Sequence, residues 1–186
     1  MSIDLSSNLQ ESALAAEAFF GYTAVMDKLI HPFPPLYDEN SRILILGSFP
    51  SVKSREQAFF YCHPQNRFWR VLAALFSAPV PESIGEKRAL ILANHLALYD
   101  TIFSCEIEGS SDASIKNAVP TDLSPILSGA PIEKICCNGA KSFELYLKYQ
   151  LPRTGIPAEK LPSTSPANAA WSLQKLTKAW GEVLMN

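Results

Sequence analysis

Residues 43–69, ILILGSFPSVKSREQAFFYCHPQNRFW, gather aromatic, amide, hydroxyl and basic side chains into one short stretch. Ser48, Phe49 and Ser51 follow Gly47, Lys53, Ser54 and Arg55 lie in a polar turn, and Phe59, Phe60 and Tyr61 lead into His63 and Asn66. Such groups position a ligand and hydrogen-bond to it. The apolar run Ile43–Leu46, bounded by Gly47 and Pro50, predicts a buried strand of a parallel sheet. In open α/β sheets ligands bind beyond the carboxyl ends of the strands, which is where these side chains fall.

Several familiar chemistries are excluded by spacing. The loop Gly47-Ser48-Phe49-Pro50-Ser51 lacks the GxxxxGK[ST] pattern of a phosphate-cradling loop and the GxSxG of a nucleophile elbow. The four cysteines, Cys62, Cys105, Cys136 and Cys137, form no CxxC pair. Cys136 and Cys137 are adjacent in an apolar run, where a strand would point one to each face, so reduced buried thiols are expected and no metal or other cofactor. A net charge of -2 argues against a surface that grips nucleic acid all over, but allows a local basic face. The start is interrupted by Asp4 and Glu11 and no run is long enough to span a bilayer, so the expectation is a cytoplasmic protein without a membrane partner.

The elements that would hold this stretch follow from the pattern of the 186 residues, a length suited to one domain with a proper core. Residues 8–29 are rich in Ala and Leu and predict a helix standing apart from the rest. His31-Pro32-Phe33-Pro34-Pro35 must be extended. Strands are predicted at 42–46, 96–103 (containing Asp100), 132–137 and, briefly, up to Pro162. Helices are predicted at 67–77, 82–94, 122–127, 140–149 and 167–185, the last with Leu173, Leu176, Trp180, Val183 and Leu184 at helical spacing. Residues 106–121 are polar and predict a loop with at most one helical turn. Strands alternating with helices make this an α/β chain, a three-layer sandwich around a roughly four-stranded parallel sheet.

The segment YCHPQNRFW after a strand-ending Gly-x-x-Pro loop resembles the uracil-DNA glycosylase superfamily, whose mismatch-specific branch carries a very similar HPxNRFW. The later LPSTSP (161–166) is similar to that superfamily's second motif, a loop that presses on DNA. HPFPP, GSFPSVKS, HPQNRFW and LPSTSPAN together look most like its sixth family, the hypoxanthine-DNA (deoxyinosine) glycosylases. The resemblance covers roughly residues 31–184. It implies a glycosylase domain over 31–186 and a helical extension over 1–30.

What the resemblance implies can be set against residue types. Such an enzyme flips a nucleotide, stacks and reads its base, and places a water on C1′ of the sugar. Asn66 is the expected catalytic residue, orienting that water; the alternative is that its amide only holds the loop. Tyr61 is expected to stack on the flipped base, with Phe49 and Ser48 lining the same pocket. Asp100 stands where the classical uracil enzymes read the base, and an ionised Asp would accept from hypoxanthine N1–H; the alternative is a turn cap. Ser51, Lys53, Ser54, Ser163 and Ser165 suit DNA phosphates, although Ser163 and Ser165 could equally cap the final helix. Where the classical enzymes have a histidine that stabilises the leaving base, this chain has Leu161. No lysine is placed to form a Schiff base, so monofunctional hydrolysis by a monomer is expected. The expected partner is DNA containing deaminated bases, hypoxanthine first and uracil second.

Overall fold

A computed structural model describes residues 28–185. β1 (Lys28–Ile30) is followed by an extended segment whose Leu36 bridges Leu98, and then by β2 (Ile43–Gly47). Next come α1 (Val52–Glu56), α2 (Phe68–Leu75), α3 (Ile84–Ala93), β3 (Leu96–Asp100) and β4 (Ile102–Glu106). A 3-10 turn (Asp112–Ser114) leads to β5 (Lys116–Pro120), α4 (Ser124–Gly129), β6 (Lys134–Asn138) and α5 (Ala140–Leu145). A π-helical turn (Tyr146–Gln150), α6 (Leu151–Thr154), β7 (Ala158–Leu161) and α7 (Leu173–Leu184) complete the chain.

β3-β2-β6-β7 form a parallel sheet. Leu44, Ile45 and Leu46 are all fully buried. Consecutive strand residues point to opposite faces, so both faces are covered and the molecule is the expected three-layer sandwich. Among the covering helices, α3 packs on β3, α5 on β6 and β7, and α7 on β7 and α2. Trp180 of α7 is fully buried, meets the Phe68 ring edge-on and donates its indole N–H to the Pro162 carbonyl at 2.9 Å. The register sets Gly47 beside Asp100 and Asn138 beside Leu161, so the carboxyl ends of the four strands share one edge.

Several sequence expectations need correction. The run at 96–103 is not one strand. The chain leaves the parallel sheet at Thr101, whose N–H (2.9 Å) and hydroxyl (2.8 Å) both donate to the Gly47 carbonyl, and β4 then enters a second, antiparallel sheet of order β1-β4-β5. The segment 106–121 is not simply a loop: β5 pairs with β4 there, through a shifted register. The helix predicted at 8–29 lies outside the described residues except for Lys28 and Leu29, which are strand because they pair with Glu106 and Cys105. The helix predicted at 140–149 ends at Leu145 and widens into the π turn, where buried Gln150 donates to the carbonyls of Thr101 and Thr121. The final helix begins at Leu173, six residues later than Ala167, capped by Ser172.

The four cysteines are buried and free. Burial pushes the thiols of Cys136 and Cys137 up to about 12.

Candidate active site

The strand ends frame a cleft of about 280 Å³. Gly47, Ser48, Phe49 and Ser51 line it from the β2–α1 loop, Tyr61 and Asn66 from the segment before α2, and Asp100 from the end of β3. Asn138 and the loop after β7, with Ser163 and Ser165, close the other side. The fold thus brings together eight of the ten sequence-predicted site residues: Ser48, Phe49, Ser51, Tyr61, Asn66, Asp100, Ser163 and Ser165. Lys53 and Ser54 do not line the cleft. Lys53 is exposed and pairs with Glu56 at 2.8 Å. Ser54 is 3% exposed and turned inward, accepting from the Cys62 N–H at 3.2 Å, so its hydroxyl is closed to a phosphate.

Asn66 sits just before α2. Its Oδ1 accepts the Phe68 N–H at 3.0 Å, satisfying one of the open donors at the helix start. That bond assigns the amide orientation: Oδ1 is engaged at the helix start, so the NH₂ group is what this cleft-lining residue has left to offer a ligand or water. Tyr61 adopts φ +52°, a left-handed backbone that is uncommon outside glycine and that the surroundings must hold. The neighbouring Cys62 N–H bond to Ser54 does so from behind, and the ring stacks on Phe68 at 3.8 Å between centroids. One ring face is therefore occupied by Phe68. The Tyr61 hydroxyl is buried with no hydrogen bond of ordinary geometry, although Asn138 lies beside it. Burial, and then the Asp100 charge, raise this phenol well above the usual tyrosine range. Phe49 borders the cleft but is 7% exposed, its ring packed against Ile102, Cys105 and Leu145.

Asp100 does not cap a turn. Its Oδ2 accepts from His31 Nε2 at 2.9 Å, with both side chains buried. Oδ1 lies over Gly47, so close that a Cβ there would be 2.1 Å from it. A second carboxyl joins from the antiparallel side, where Ser48 Oγ donates to Asp112 Oδ1 at 2.6 Å. The Asp112 residue is open to solvent at its surface, but its carboxyl faces inward on the cleft wall. Burial of that carboxyl, and then the Asp100 charge, outweigh the Ser48 bond and raise its pKa. A cleft carrying two carboxylates suits a reaction centre that becomes positively charged.

The loop after β7 is shaped by two clamps. Asn138 makes a paired contact with Thr164, donating to its Oγ1 at 2.9 Å and accepting from its N–H at 3.0 Å. Arg67 donates its guanidinium to the carbonyls of Thr164, Ser165, Asn168 and Trp171. The Ser163 and Ser165 hydroxyls accept from Ser165 N–H and Ala167 N–H within this loop, while α7 takes Ser172 as its cap. The site residues that sequence reasoning missed are His31, Asp112 and the Arg67 clamp. His31 stood in a segment read for its prolines and for the family resemblance, with no role given to its side chain, and Asp112 in a polar stretch without periodicity. Among the described residues no cluster of His, Cys, Asp and Glu is arranged to hold a metal ion.

The Arg67 clamp carries a measurable consequence. Arg67→Lys keeps the charge but cannot serve four carbonyls from one planar fork. The variant should lose about 1–3 kcal/mol in urea unfolding. Native-state proteolysis should shift to residues 163–171. Unchanged stability and cleavage would mean that the loop holds itself.

Comparison with known proteins agrees with this geometry. The model of the uracil DNA glycosylase superfamily matches residues 34–184. A protein of Methanosarcina acetivorans named hypoxanthine DNA glycosylase is 34% identical over 142 residues, covering 75% of this chain and 89% of its own. One of the same name from Methanosarcina barkeri is 34% identical over 155 residues, covering 81% and 94%. A solution NMR structure from Methanosarcina acetivorans, described as a candidate uracil DNA glycosylase, superposes with a TM-score of 0.70 at 32% identity, covering 82% of this chain and 94% of that one. With the parallel sheet, the strand-end cleft and the HPQNRFW segment in their expected places, this chain belongs to the uracil DNA glycosylase superfamily.

Proposed function

We propose that this protein is a monofunctional DNA glycosylase of base excision repair that works as a cytoplasmic monomer. It flips a deaminated base into the cleft and hydrolyses its bond to C1′ of the deoxyribose. Hypoxanthine is the preferred base and uracil the second. The observation that carries the reading is the pairing of an acceptor, Asp100 Oδ1 over Gly47, with the Asn66 amide in one strand-end cleft. The relatives named hypoxanthine DNA glycosylase support the choice of base.

Deamination changes a base in a way that a carboxylate reads directly. Adenine presents a lone pair at N1, whereas hypoxanthine presents N1–H; cytosine and uracil differ likewise at N3. An acceptor-only oxygen attracts the deaminated base and repels its parent. In the reaction the C1′–N bond breaks and its electron pair leaves with the base. The sugar becomes cation-like, and a water held by Asn66 adds to C1′ and releases its proton to solvent. Asp100 and Asp112 favour the positive sugar electrostatically. Leu161 stands where the classical uracil enzymes have an electrophilic histidine, so departure of the base depends on the sugar side and on water. Ser51, Ser163 and Ser165 line the cleft wall and are the proposed phosphate contacts; the Ser163 and Ser165 hydroxyls accept from loop N–H groups and keep their own hydrogens for a phosphate oxygen.

The test is release of base from labelled duplexes carrying one deoxyinosine or one deoxyuridine, with alkali to reveal abasic sites. Cleavage at inosine exceeding that at uracil is the expected result. Binding to the inosine duplex with no abasic product would replace the reading by a second one, a module of this fold that recognises flipped bases without chemistry. The Asn66 Oδ1 bond to Phe68 is the observation that keeps that second reading in view.

A further inference from the structure

We propose that His31 is the residue that makes Asp100 selective for hypoxanthine over guanine. The inference rests on the glycosylase reading above and concerns the same cleft. Asp100 lines the cleft, whereas His31 stands behind it, 6% exposed. The histidine is fixed from several directions. Its backbone N–H donates to the Phe103 carbonyl at 2.7 Å, extending the β1–β4 pairing. Its ring meets Phe33 at 4.5 Å and Tyr99 at 4.8 Å between centroids. A carboxylate oxygen only accepts, so the ring hydrogen lies on Nε2 and points at Asp100 Oδ2, 2.9 Å away; Nδ1 has no partner. His31 is therefore a positioning residue, acting on the base through Asp100.

The consequence is a carboxylate with one oxygen to offer. Oδ2 is buried and engaged, and Oδ1 alone is directed over Gly47. Hypoxanthine needs one acceptor, for N1–H. Guanine has the same N1–H and a 6-oxo group, but adds a 2-amino group beside N1, and its two parallel donors match a carboxylate with both oxygens free. With Oδ2 filled by the imidazole, the guanine amino group meets a donor hydrogen instead of an acceptor and gives up its water for nothing. Adenine is turned away separately, by its N1 lone pair facing Oδ1. The same single acceptor suits uracil N3–H. The cleft thus recognises the lactam edge created by deamination and rejects the normal base that shares it.

Two variants of the full chain separate this role from a structural one. His31→Phe fills the aromatic cage without the donor, and His31→Gln places an amide N–H where Nε2–H was. Single-turnover base release is measured from duplexes carrying I·T or G·T wobble pairs, which share their geometry. Binding is measured on the same duplexes with a 2′-fluorinated, uncleavable sugar, and folding is followed by thermal melting. In His31→Phe the preference for inosine over guanosine should fall by about tenfold or more, and His31→Gln should restore it to within about threefold of wild type. On an Asp100→Asn background, His31→Phe should change the preference no further. A folded His31→Phe with the wild-type preference, or a His31→Gln as impaired as His31→Phe, overturns the inference. If His31→Phe does not fold, the His31→Gln and Asp100→Asn results decide, since an unaltered preference in Asp100→Asn also overturns it. A wild type that binds inosine duplexes selectively but releases no base refutes the enzymatic reading alone, because the binding ratios still test His31.

Discussion

Asn66→Ala is expected to slow release of hypoxanthine by about 10²–10⁴-fold, the range that a positioned group acting on the attacking water supplies. The variant also loses the acceptor for the Phe68 N–H, which should lower stability by about 0.5–2 kcal/mol. These two effects are separable. Asn66→Asp retains an acceptor for Phe68 and places a negative charge at the start of α2, where the helix dipole favours it. It should melt at or above the wild-type temperature. If the amide NH₂ helps to hold the water, Asn66→Asp will be slow despite that stability. Single-turnover rates and melting curves on the three proteins are sufficient. Base release within about threefold of wild type in a folded Asn66→Ala would return the residue to its capping role and move the search for a water-holding group to Asp112 or Ser48.

Among the described glycines, Gly47 is where an added methyl is expected to do the most damage. The new Cβ would lie 2.1 Å from Asp100 Oδ1 and 3.3 Å from the Tyr61 hydroxyl. Asp100 cannot retreat, because β2–β3 pairing fixes it beside Gly47 and His31 holds its other oxygen. Relief by displacement of a buried, hydrogen-bonded carboxylate should cost about 1–3 kcal/mol of stability, the usual range for overpacking. A shift of around 1 Å in the oxygen proposed to read the base should reduce kcat/KM for inosine by about 10²-fold. Gly85→Ala in α3 is the control. Its Cβ would come no nearer than 3.9 Å to the Ser83 hydroxyl, and in the first turn of a helix alanine is accommodated without strain. Wild-type activity in Gly47→Ala would show that Asp100 Oδ1 does not touch the base.

The parallel sheet was legible because three of its strands, β2, β3 and β6, are buried on both faces, and burial on both faces writes a continuous apolar run into the chain, as at Ile43–Leu46 and Ile135–Cys137. The same signal failed where the environment changed without a change of hydropathy. Leu96–Phe103 reads as one strand, but the chain exchanges partners at Thr101, and a hydropathy pattern records burial rather than which strand provides it. β5 left no signal because it is an edge strand whose residues are mostly exposed. The start of α7 was placed too early because Ser165–Trp171 has no helix breaker after Pro166; the Arg67 fork, bonding backbone carbonyls that any residue would present, keeps it a loop.

The site divides in the same way. By itself the sequence determined the fold family, the place of the cleft and most of the side-chain types around it, since these follow from local apolar runs, from the segment 43–69 and from the short LPSTSPAN motif. Tertiary structure alone decided how those side chains are oriented. Asp100 is aimed by a histidine 69 residues away and Ser48 is tied to a carboxyl 64 residues away. Tyr61 is held in a left-handed backbone by a serine that the sequence had offered to phosphate. Hydrogen bonds between distant polar groups have no period and need only one donor and one acceptor, so they leave no pattern in the chain until the sheet brings its ends together.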